Sequence, residues 1–226
     1  MKEYPAIIAA LPREVKPLVR GWRQQRLPGH IHLYTSDAGV VACAGMGAQR
    51  VALAVQAAMT AGPVTALLSV GLAGGCDPGV SVGDVIRAGI VVDAQTGERF
   101  GDAATGPVLV SSSAIAGVRE KQRISASYGA SAVDMEAASV ARLARAHGLA
   151  FHAIKAISDE ADFEMQELGQ FTTPDGQFRE AAFVMYAAAR PWMWGRLIQL
   201  GRNSGLAVRS LTAAVRAQLD CYKEQR

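Results

Sequence analysis

The sequence contains no apolar run as long as the roughly 18 to 20 residues that a membrane-spanning helix needs. The first residues, MKEYPAIIAALPREV, hold a short apolar stretch that Glu14 soon interrupts, which is typical of a strand and not of a secretion signal. Aromatic residues make up only 6% of the chain, whereas Ala, Gly and Val are abundant. This balance disfavours an all-β sandwich and favours strands and helices packed in layers.

Cysteine is also scarce. Cys43, Cys76 and Cys221 are odd in number and form no Cys-x-x-Cys pair. They favour a protein of the reducing cytoplasm over a disulfide-linked one. The four histidines flank strands and turns as surface histidines do, so we predict no metal site.

Two common catalytic motifs are missing. The glycines at 45 and 47 do not continue as Gly-x-Gly-x-x-Gly, because Arg50 holds the third position. In addition, no acidic residue lies between Gly47 and Asp77. These differences disfavour a dinucleotide-binding site, and we predict that the protein uses no cofactor. A serine hydrolase is disfavoured as well, since there is no Gly-x-Ser-x-Gly and the serines at 111–113 lack an evident histidine partner.

The net charge of +3 is unevenly distributed. Residues 1–189 carry 16 basic and 18 acidic residues, whereas residues 190–226 carry 7 basic and 2 acidic ones. We therefore divide the chain into a domain, 1–189, and a basic C-terminal segment, 190–226. An acidic body without a recognition motif disfavours nucleic acid as a partner.

Predicted strands alternate with predicted helices along the domain. The alternation predicts an α/β fold with mostly parallel pairing. The strands are expected at 5–11, 31–36, 38–45, 65–71, 84–93, 108–112 and 151–157, and the helices at 14–20, 48–61, 114–125 and 135–147.

In such folds ligands bind beyond the carboxyl ends of the strands, where this chain has glycines and carboxylates. Residues 45–47 either offer backbone N–H groups to a ligand or form a tight turn. Residues 71–75 either let backbone approach a flat ligand or form a strained turn. Asp134 can cap the helix that follows, and Glu136 in its first turn either faces a ligand or complements the helix dipole. Asp159 is either a desolvated general acid with a raised pKa or a helix cap.

Five segments, in this order and spacing, resemble the purine nucleoside phosphorylase and methylthioadenosine/S-adenosylhomocysteine nucleosidase superfamily over about residues 5–165. They are IIAALPREV, AGMGAQRVALA, SVGLAGGCDPGVSVGDVI, VDMEAASVARLARAHGLAF and AIKAISDEAD. The resemblance implies a three-layer α/β fold, with a mixed central sheet, flanking helices and a C-terminal helical tail. It also implies a homo-oligomer that binds a purine nucleoside.

Cleavage of the N-glycosidic bond passes through an oxocarbenium-like state, so the base must leave neutral while a nucleophile arrives. The resemblance implies that Asp159 protonates the purine N7 and that Ser158 orients Asp159. It implies that Glu136 binds the ribose hydroxyls and that Met135 packs on the sugar. The remaining residues that it implies as substrate-binding are Ala73, Gly74 and Gly47.

Glu14 falls where nucleosidases keep the carboxylate that activates water. A phosphorylase would need cationic phosphate ligands, and Arg13 and Arg50 form no phosphorylase pattern. The sequence therefore favours hydrolysis. Three alternatives stay open: a purine nucleoside phosphorylase, a methylthioadenosine/S-adenosylhomocysteine nucleosidase, and a nucleoside-binding protein without activity.

Three departures from the family indicate a more open pocket or a different 5′ substituent. The stretch between Asp84 and Met135 is shorter than in typical methylthioadenosine nucleosidases. Ala114 and Ile115 replace the aromatic residue that stacks on the purine, and Lys155 replaces an arginine.

The C-terminal segment is predicted to be helical after Pro191. Its apolar residues fall near one face, and Arg202, Arg209, Arg216 and Lys223 recur every seven residues. Trp192 and Trp194 lie beside the start of this helix. Together these features are typical of a helix lying on a membrane surface, which would make the contact through residues 190–223. They equally fit a terminal helix packed on the domain with a solvated basic face.

The segments TTPDGQF and RPW…LGRNS are similar to the hopanoid-associated branch of the superfamily. That similarity implies a lipid-linked substrate, adenosylhopane, from which adenine is released.

Overall fold

The computed structural model describes residues 4–101, 106–164, 170–171, 182–183, 185–186 and 190–224. The strands are β1 (Tyr4–Ala9), β2 (Arg23–Leu27), β3 (Ile31–Ser36), β4 (Gly39–Cys43), β5 (Val64–Gly75), β6 (Val85–Arg87), β7 (Ile90–Asp93), β8 (Arg99–Gly101), β9 (Val108–Ser111), β10 (Ala130–Asp134) and β11 (Ala150–Asp159). The helices are α1 (Pro12–Val15), α2 (Ala48–Ala61), α3 (Val118–Tyr128), α4 (Ala137–Ala146) and α5 (Pro191–Glu224). The segment TTPDGQF lies outside the described residues.

One mixed sheet of eleven strands joins all the described strands. Nine of them follow the order β2-β3-β4-β1-β5-β10-β9-β7-β8, and β11 branches from β5 and pairs in turn with β6. The twelve-residue strand β5 is its centre: it pairs in parallel with β1 on one side and with β11 on the other. Gly74 and Gly75 at its end pair antiparallel with β10. The carboxyl ends of β1, β5 and β11 consequently lie at one edge of the sheet.

Helices cover both faces of the sheet because both faces are apolar. In β1, Ile7 and Ala9 pack toward α1 and α5, whereas Ala6 and Ile8 pack toward α2 and α4. Such runs of apolar residues are typical of parallel strands that are buried on both sides. The predicted three-layer α/β fold is confirmed.

Several element predictions were wrong in detail. The predicted strand 65–71 continues through the glycine-rich residues to Gly75, because β10 and β11 offer hydrogen-bonding partners there. The predicted strand 84–93 is two strands, since β6 pairs with β11 and β7 with β9. The predicted helix 114–125 begins only at Val118, and the predicted helix 14–20 ends at Val15. The strands β2, β8 and β10 were not predicted.

The C-terminal helix α5 has two different halves. Ala207, Leu211, Val215 and Leu219 are buried in the same core cluster as β1 and β5. The first half is mostly exposed, and Trp192 and Trp194 retain 75% and 50% of their accessible surface. Among the described residues, no helix combines the length and the apolar character that crossing a membrane requires.

The packing of α5 predicts that its second half is needed for stability. Leu211→Ala should lower the free energy of unfolding by about 2 to 5 kcal/mol, because it leaves a cavity in a core where Leu211 is 1% exposed. Leu206→Ala, on the same helix but 43% exposed, is the matched control and should cost far less. Urea unfolding followed by circular dichroism measures both. Equal losses would contradict the packing of the second half.

Candidate active site

A cavity of about 210 Å³ lies at the carboxyl ends of β1, β5, β10 and β11. It is lined by carboxylates, lysine, small residues and apolar side chains. The described lining residues are Ala10, Leu11, Arg13, Glu14, Met46, Leu72, Ala73, Gly74, Ala114, Ile115, Ala116, Lys121, Val133, Asp134, Met135, Glu136, Ser158, Asp159, Leu200 and Ser204. A nucleoside-sized ligand here would meet acidic groups on several sides.

A larger cavity, of about 800 Å³, lies between α2 and the β2–β3 edge of the sheet. Arg23 and Asp37 are the charged side chains among its described lining residues. It has no group of convergent titratable side chains such as the strand ends provide, so we assign the chemistry to the smaller cavity.

Glu14 lies at one end of the cavity, where a backbone hydrogen bond orients its side chain. The one-turn helix α1 follows β1, and Glu14 Oε2 accepts a hydrogen bond from the backbone N–H of Leu11 at 3.2 Å. Gly71 on β5 lies beside it: a side chain there would come within 3.2 Å of Glu14 Oε2. Burial raises the pKa of the Glu14 carboxyl, although the Leu11 N–H and the charge of Lys155 oppose that shift.

Glu136 occupies the turn between β10 and α4. Its Oε1 accepts a hydrogen bond from Gly47 N–H at 3.1 Å, and Gly47 has a positive φ of 87° that favours glycine. The sequence predicts Glu136 inside the first turn of the helix, but the structure shows it as the N-cap residue of α4. Burial raises its pKa to about 7; the charge of Lys155 opposes that shift, and the carboxylates of Asp134 and Glu14 add to it.

Lys155 balances these carboxylates from β11. Its Nζ lies 2.8 Å from Asp134 Oδ2, and the two side chains are 2% and 0% exposed. Asp134 also accepts hydrogen bonds from the Ser111 hydroxyl at 2.6 Å and from Ala137 N–H at 2.9 Å. The prediction that Asp134 is the N-cap residue was wrong, because Asp134 belongs to β10 and Glu136 holds that position. The Asp134 side chain nevertheless accepts the first N–H of α4. Although burial lowers the pKa of Lys155, Asp134 and Glu136 raise it overall, so Lys155 is charged.

Asp159 lies at the other end of the cavity, as the last residue of β11. The Ser158 hydroxyl donates to Asp159 Oδ1 at 2.7 Å and lies 3.3 Å from the carbonyl of Ala73. Lys121 Nζ lies 2.5 Å from Asp159 Oδ2. Desolvation of Asp159 is only partial, since its side chain is 22% exposed.

The structure brings most of the predicted site residues together. Those that line the cavity are Glu14, Ala73, Gly74, Met135, Glu136, Ser158 and Asp159. Gly47 does not line it and contacts Glu136 through its backbone instead. The two arginines separate: Arg13 lines the cavity, whereas the guanidinium of Arg50 donates to the carbonyls of Ala44 and Gly29. Among the residues described, no cluster of three or more His, Cys, Asp or Glu could hold a metal ion.

Sequence reasoning missed Lys121 and the two α5 residues at the cavity, Leu200 and Ser204. One signal could have found Lys121, because it lies three residues before Ile124 on the buried face of α3. No local signal indicates that α5 reaches the strand ends, since that depends on how the helix packs.

Comparisons with known proteins identify the family of the chain and its fold. The family model described as "Phosphorylase superfamily" matches residues 5–102 and 91–188 of the chain. No curated protein sequence matches significantly.

Solved structures of nucleosidases share the fold. A 5′-methylthioadenosine/S-adenosyl homocysteine nucleosidase from Helicobacter pylori superposes with a TM-score of 0.70 at 16% identity, covering 96% of this chain and 98% of that one. A futalosine hydrolase mutant of the same organism superposes with a TM-score of 0.62 at 19% identity, covering 75% of this chain and 93% of that one. An S-adenosylhomocysteine nucleosidase from Streptococcus pyogenes superposes with a TM-score of 0.59 at 21% identity, covering 72% of this chain and 87% of that one. At these identities the likeness shows the fold.

The raised pKa of Glu136 predicts that stability falls as pH rises. Between its unfolded value near 4.5 and its folded value of about 7, the folded state binds the extra proton. The free energy of unfolding should therefore decrease across this range, by at most about 1.4 kcal/mol per pH unit for one proton. Glu136→Gln removes this proton and should flatten the slope. Glu120→Gln, on the surface, is the control. Urea unfolding at pH 5, 6 and 7 measures the slopes; identical slopes for wild type and Glu136→Gln would contradict the assignment.

Proposed function

The chain belongs to the phosphorylase superfamily, and we propose that it is a nucleosidase that cleaves the N-glycosidic bond of an adenine nucleoside. One observation carries the proposal: a buried carboxylate, Glu14, and a carboxylate with two hydrogen-bonding partners, Asp159, line the same cavity. Hydrolysis of a ribosyl bond needs a base for water and an acid for the leaving group.

Asp159 is the acid in this proposal. The bond between C1′ and N9 breaks, its electron pair moves into the purine, and N7 takes up a proton from Asp159. Ser158 supports this role because its hydroxyl fixes one carboxylate oxygen at 2.7 Å. Ala73 and Gly74, at the end of β5, offer a surface without bulky side chains beside the base.

Glu14 is the base. A water molecule between Glu14 and C1′ gives its proton to the carboxylate as the new C–O bond forms. Burial favours this role, since a raised pKa brings the carboxylate closer to the pKa of a useful base near neutral pH. Glu136 binds the ribose hydroxyls, with Met135 packed on the sugar. Lys155 keeps the neighbouring acidic groups from repelling one another.

Water is a better nucleophile here than phosphate on electrostatic grounds. Glu14, Asp134 and Glu136 lie at the same end of the cavity, and the charge of Lys155 is already paired with Asp134. A phosphate dianion would face uncompensated carboxylates. Arg50 binds backbone carbonyls, which leaves Arg13 as the arginine beside the cavity among the described residues.

Activity on adenine nucleosides tests the proposal. The purified protein should release adenine without phosphate, at a rate that added phosphate leaves unchanged. Asp159→Asn and Glu14→Gln should each lower kcat by about 10² to 10⁴-fold, because each removes a proton-transfer group. Adenine release is measured by chromatography, and ligand binding by calorimetry should survive in Asp159→Asn.

One control variant and two alternative outcomes complete the test. Asp37→Asn changes a carboxylate of the larger cavity and should leave the rate unchanged. Strict dependence on phosphate would instead establish a phosphorylase, and binding without turnover would leave only a nucleoside-binding protein.

We propose more specifically that the substrate is a lipid-linked adenine nucleoside, adenosylhopane. Ala114 and Ile115 at the cavity leave space where the family has an aromatic residue. Leu200 and Ser204 of α5 also line the cavity, and the exposed Trp192, Trp194 and Ile198 precede them on the same helix. A lipid attached at the 5′ position would leave the cavity along this apolar half of α5.

The first half of α5 would then contact a membrane surface. Trp192 and Trp194 suit the interfacial region, and the exposed Arg202 suits anionic headgroups, as does the exposed Arg209 at the beginning of the second half. The second half of the helix packs on the domain, and Arg216 donates to the carbonyl of Pro17. The side chain of Lys223 lies outside the described residues. The cytoplasmic location and the homo-oligomer stay predictions.

Adenosylhopane presented in vesicles of anionic phospholipid tests this more specific proposal. Wild type should cleave it with a higher kcat/KM than methylthioadenosine in solution. Replacing Trp192 and Trp194 together with alanine should lower kcat/KM on vesicles about tenfold and leave soluble methylthioadenosine turnover unchanged. Adenine release and vesicle co-sedimentation are measured together. Cleavage of methylthioadenosine alone would overturn the lipid proposal and leave the nucleosidase proposal intact.

A further inference from the structure

Lys121 is a buried cation that the reaction outlined above does not use. It is 1% exposed, and its Nζ donates to Asp159 Oδ2 at 2.5 Å and to the carbonyl of Glu160 at 2.7 Å. An ammonium group is excluded from protein interiors unless an anion and hydrogen-bond acceptors compensate its charge. Here the compensating anion is the carboxylate assigned as the acid.

The surrounding elements hold Lys121 in this place. Ile124, one turn later in α3, packs into the core formed with β7 and β9, which turns the Lys121 side chain toward the cavity. Val118 N–H at the start of α3 donates to Glu164 Oε2 at 3.1 Å, so α3 is tied to the segment after β11.

Gly74 leaves the room that the pair occupies. A side chain at Gly74 would come within 3.0 Å of both Asp159 Oδ2 and Lys121 Cε. The close approach of the two charged groups therefore depends on a glycine at this position of β5. The same position faces the cavity.

Both oxygens of Asp159 are thus engaged. Oδ1 accepts from the Ser158 hydroxyl, and Oδ2 accepts from Lys121. A carboxylate with an ammonium partner can pass on a proton only if one is supplied to it. The ammonium group of Lys121 lies at hydrogen-bonding distance and carries such a proton.

We propose that Lys121 is a positioning residue for purine departure: it orients Asp159 and supplies the proton that Asp159 delivers to N7. This inference rests on the proposed nucleosidase function. As the bond from C1′ to N9 breaks, the purine takes one proton at N7 through Asp159, and Lys121 becomes neutral. Water adds to C1′ and leaves its proton on Glu14. Solvent then takes the proton from Glu14 and returns one to Lys121, so protons and charge balance over the cycle.

The test varies the leaving group. Adenine must be protonated to leave, whereas 4-nitrophenolate leaves a 4-nitrophenyl riboside without a proton. Lys121→Met should lower kcat for an adenine nucleoside about 100-fold, as loss of a proton-transfer partner does, and change KM only a few-fold. On the 4-nitrophenyl riboside it should change kcat less than about fivefold. Lys121→Arg keeps the charge beside Asp159 but cannot release a proton, so it should not recover the adenine-releasing rate.

Controls separate the outcomes. Lys16→Met removes an exposed lysine and should leave both rates unchanged. Lys121→Gln repeats the test if the methionine variant unfolds, and thermal unfolding monitors both. Equal losses on the two substrates would overturn the proposal in favour of a structural role, and so would no loss on either. If wild type releases adenine but the Lys121 variants lose activity equally on both substrates or on neither, only the proposed role of Lys121 fails and the nucleosidase proposal is kept. If wild type cleaves no nucleoside, both proposals fail.

Discussion

The site depends on the buried ion pair between Lys155 and Asp134. Strands β10 and β11 both pair with β5, and without this cation Asp134 and Glu136 would lie close together with like charges. Removing one partner of such a pair leaves an uncompensated buried charge and typically costs about 3 to 5 kcal/mol. Because Asp134 also receives the Ser111 hydroxyl and the first N–H of α4, the pair fixes the direction in which that helix leaves the sheet.

The cavity has a matching arrangement at each end. Lys155 offsets part of the negative charge at the end that holds Glu14, Asp134 and Glu136, and Lys121 pairs with Asp159 at the other end. Both lysines are almost fully buried, so each contributes its charge at low dielectric, where a charge acts more strongly. The proposed reaction moves one proton toward the purine, at the end with Asp159 and Lys121, and takes another from water, at the end with Glu14 and Lys155.

Local sequence information predicted elements whose limits are set locally. Helix α2 has the predicted bounds, because Gly47 and Gly62 flank an alanine-rich segment that has no competing pairing partner. Predictions failed where pairing with distant strands decided the outcome. Strand β5 continues through its glycines because β11 runs beside it, and β10 forms because β5 and β9 lie on either side of it.

For the site, the sequence by itself determined the family and the carboxylates, since both are carried by residues in short segments: Glu14 after β1, Glu136 after β10 and Asp159 at the end of β11. Only the tertiary structure decided which cation faces which carboxylate. Lys121 is 38 residues from Asp159, and Lys155 is 21 residues from Asp134 and lies on another strand. Those distances along the chain become contacts only when the sheet is assembled, and charge pairing acts over ångströms of space and not over positions in the sequence.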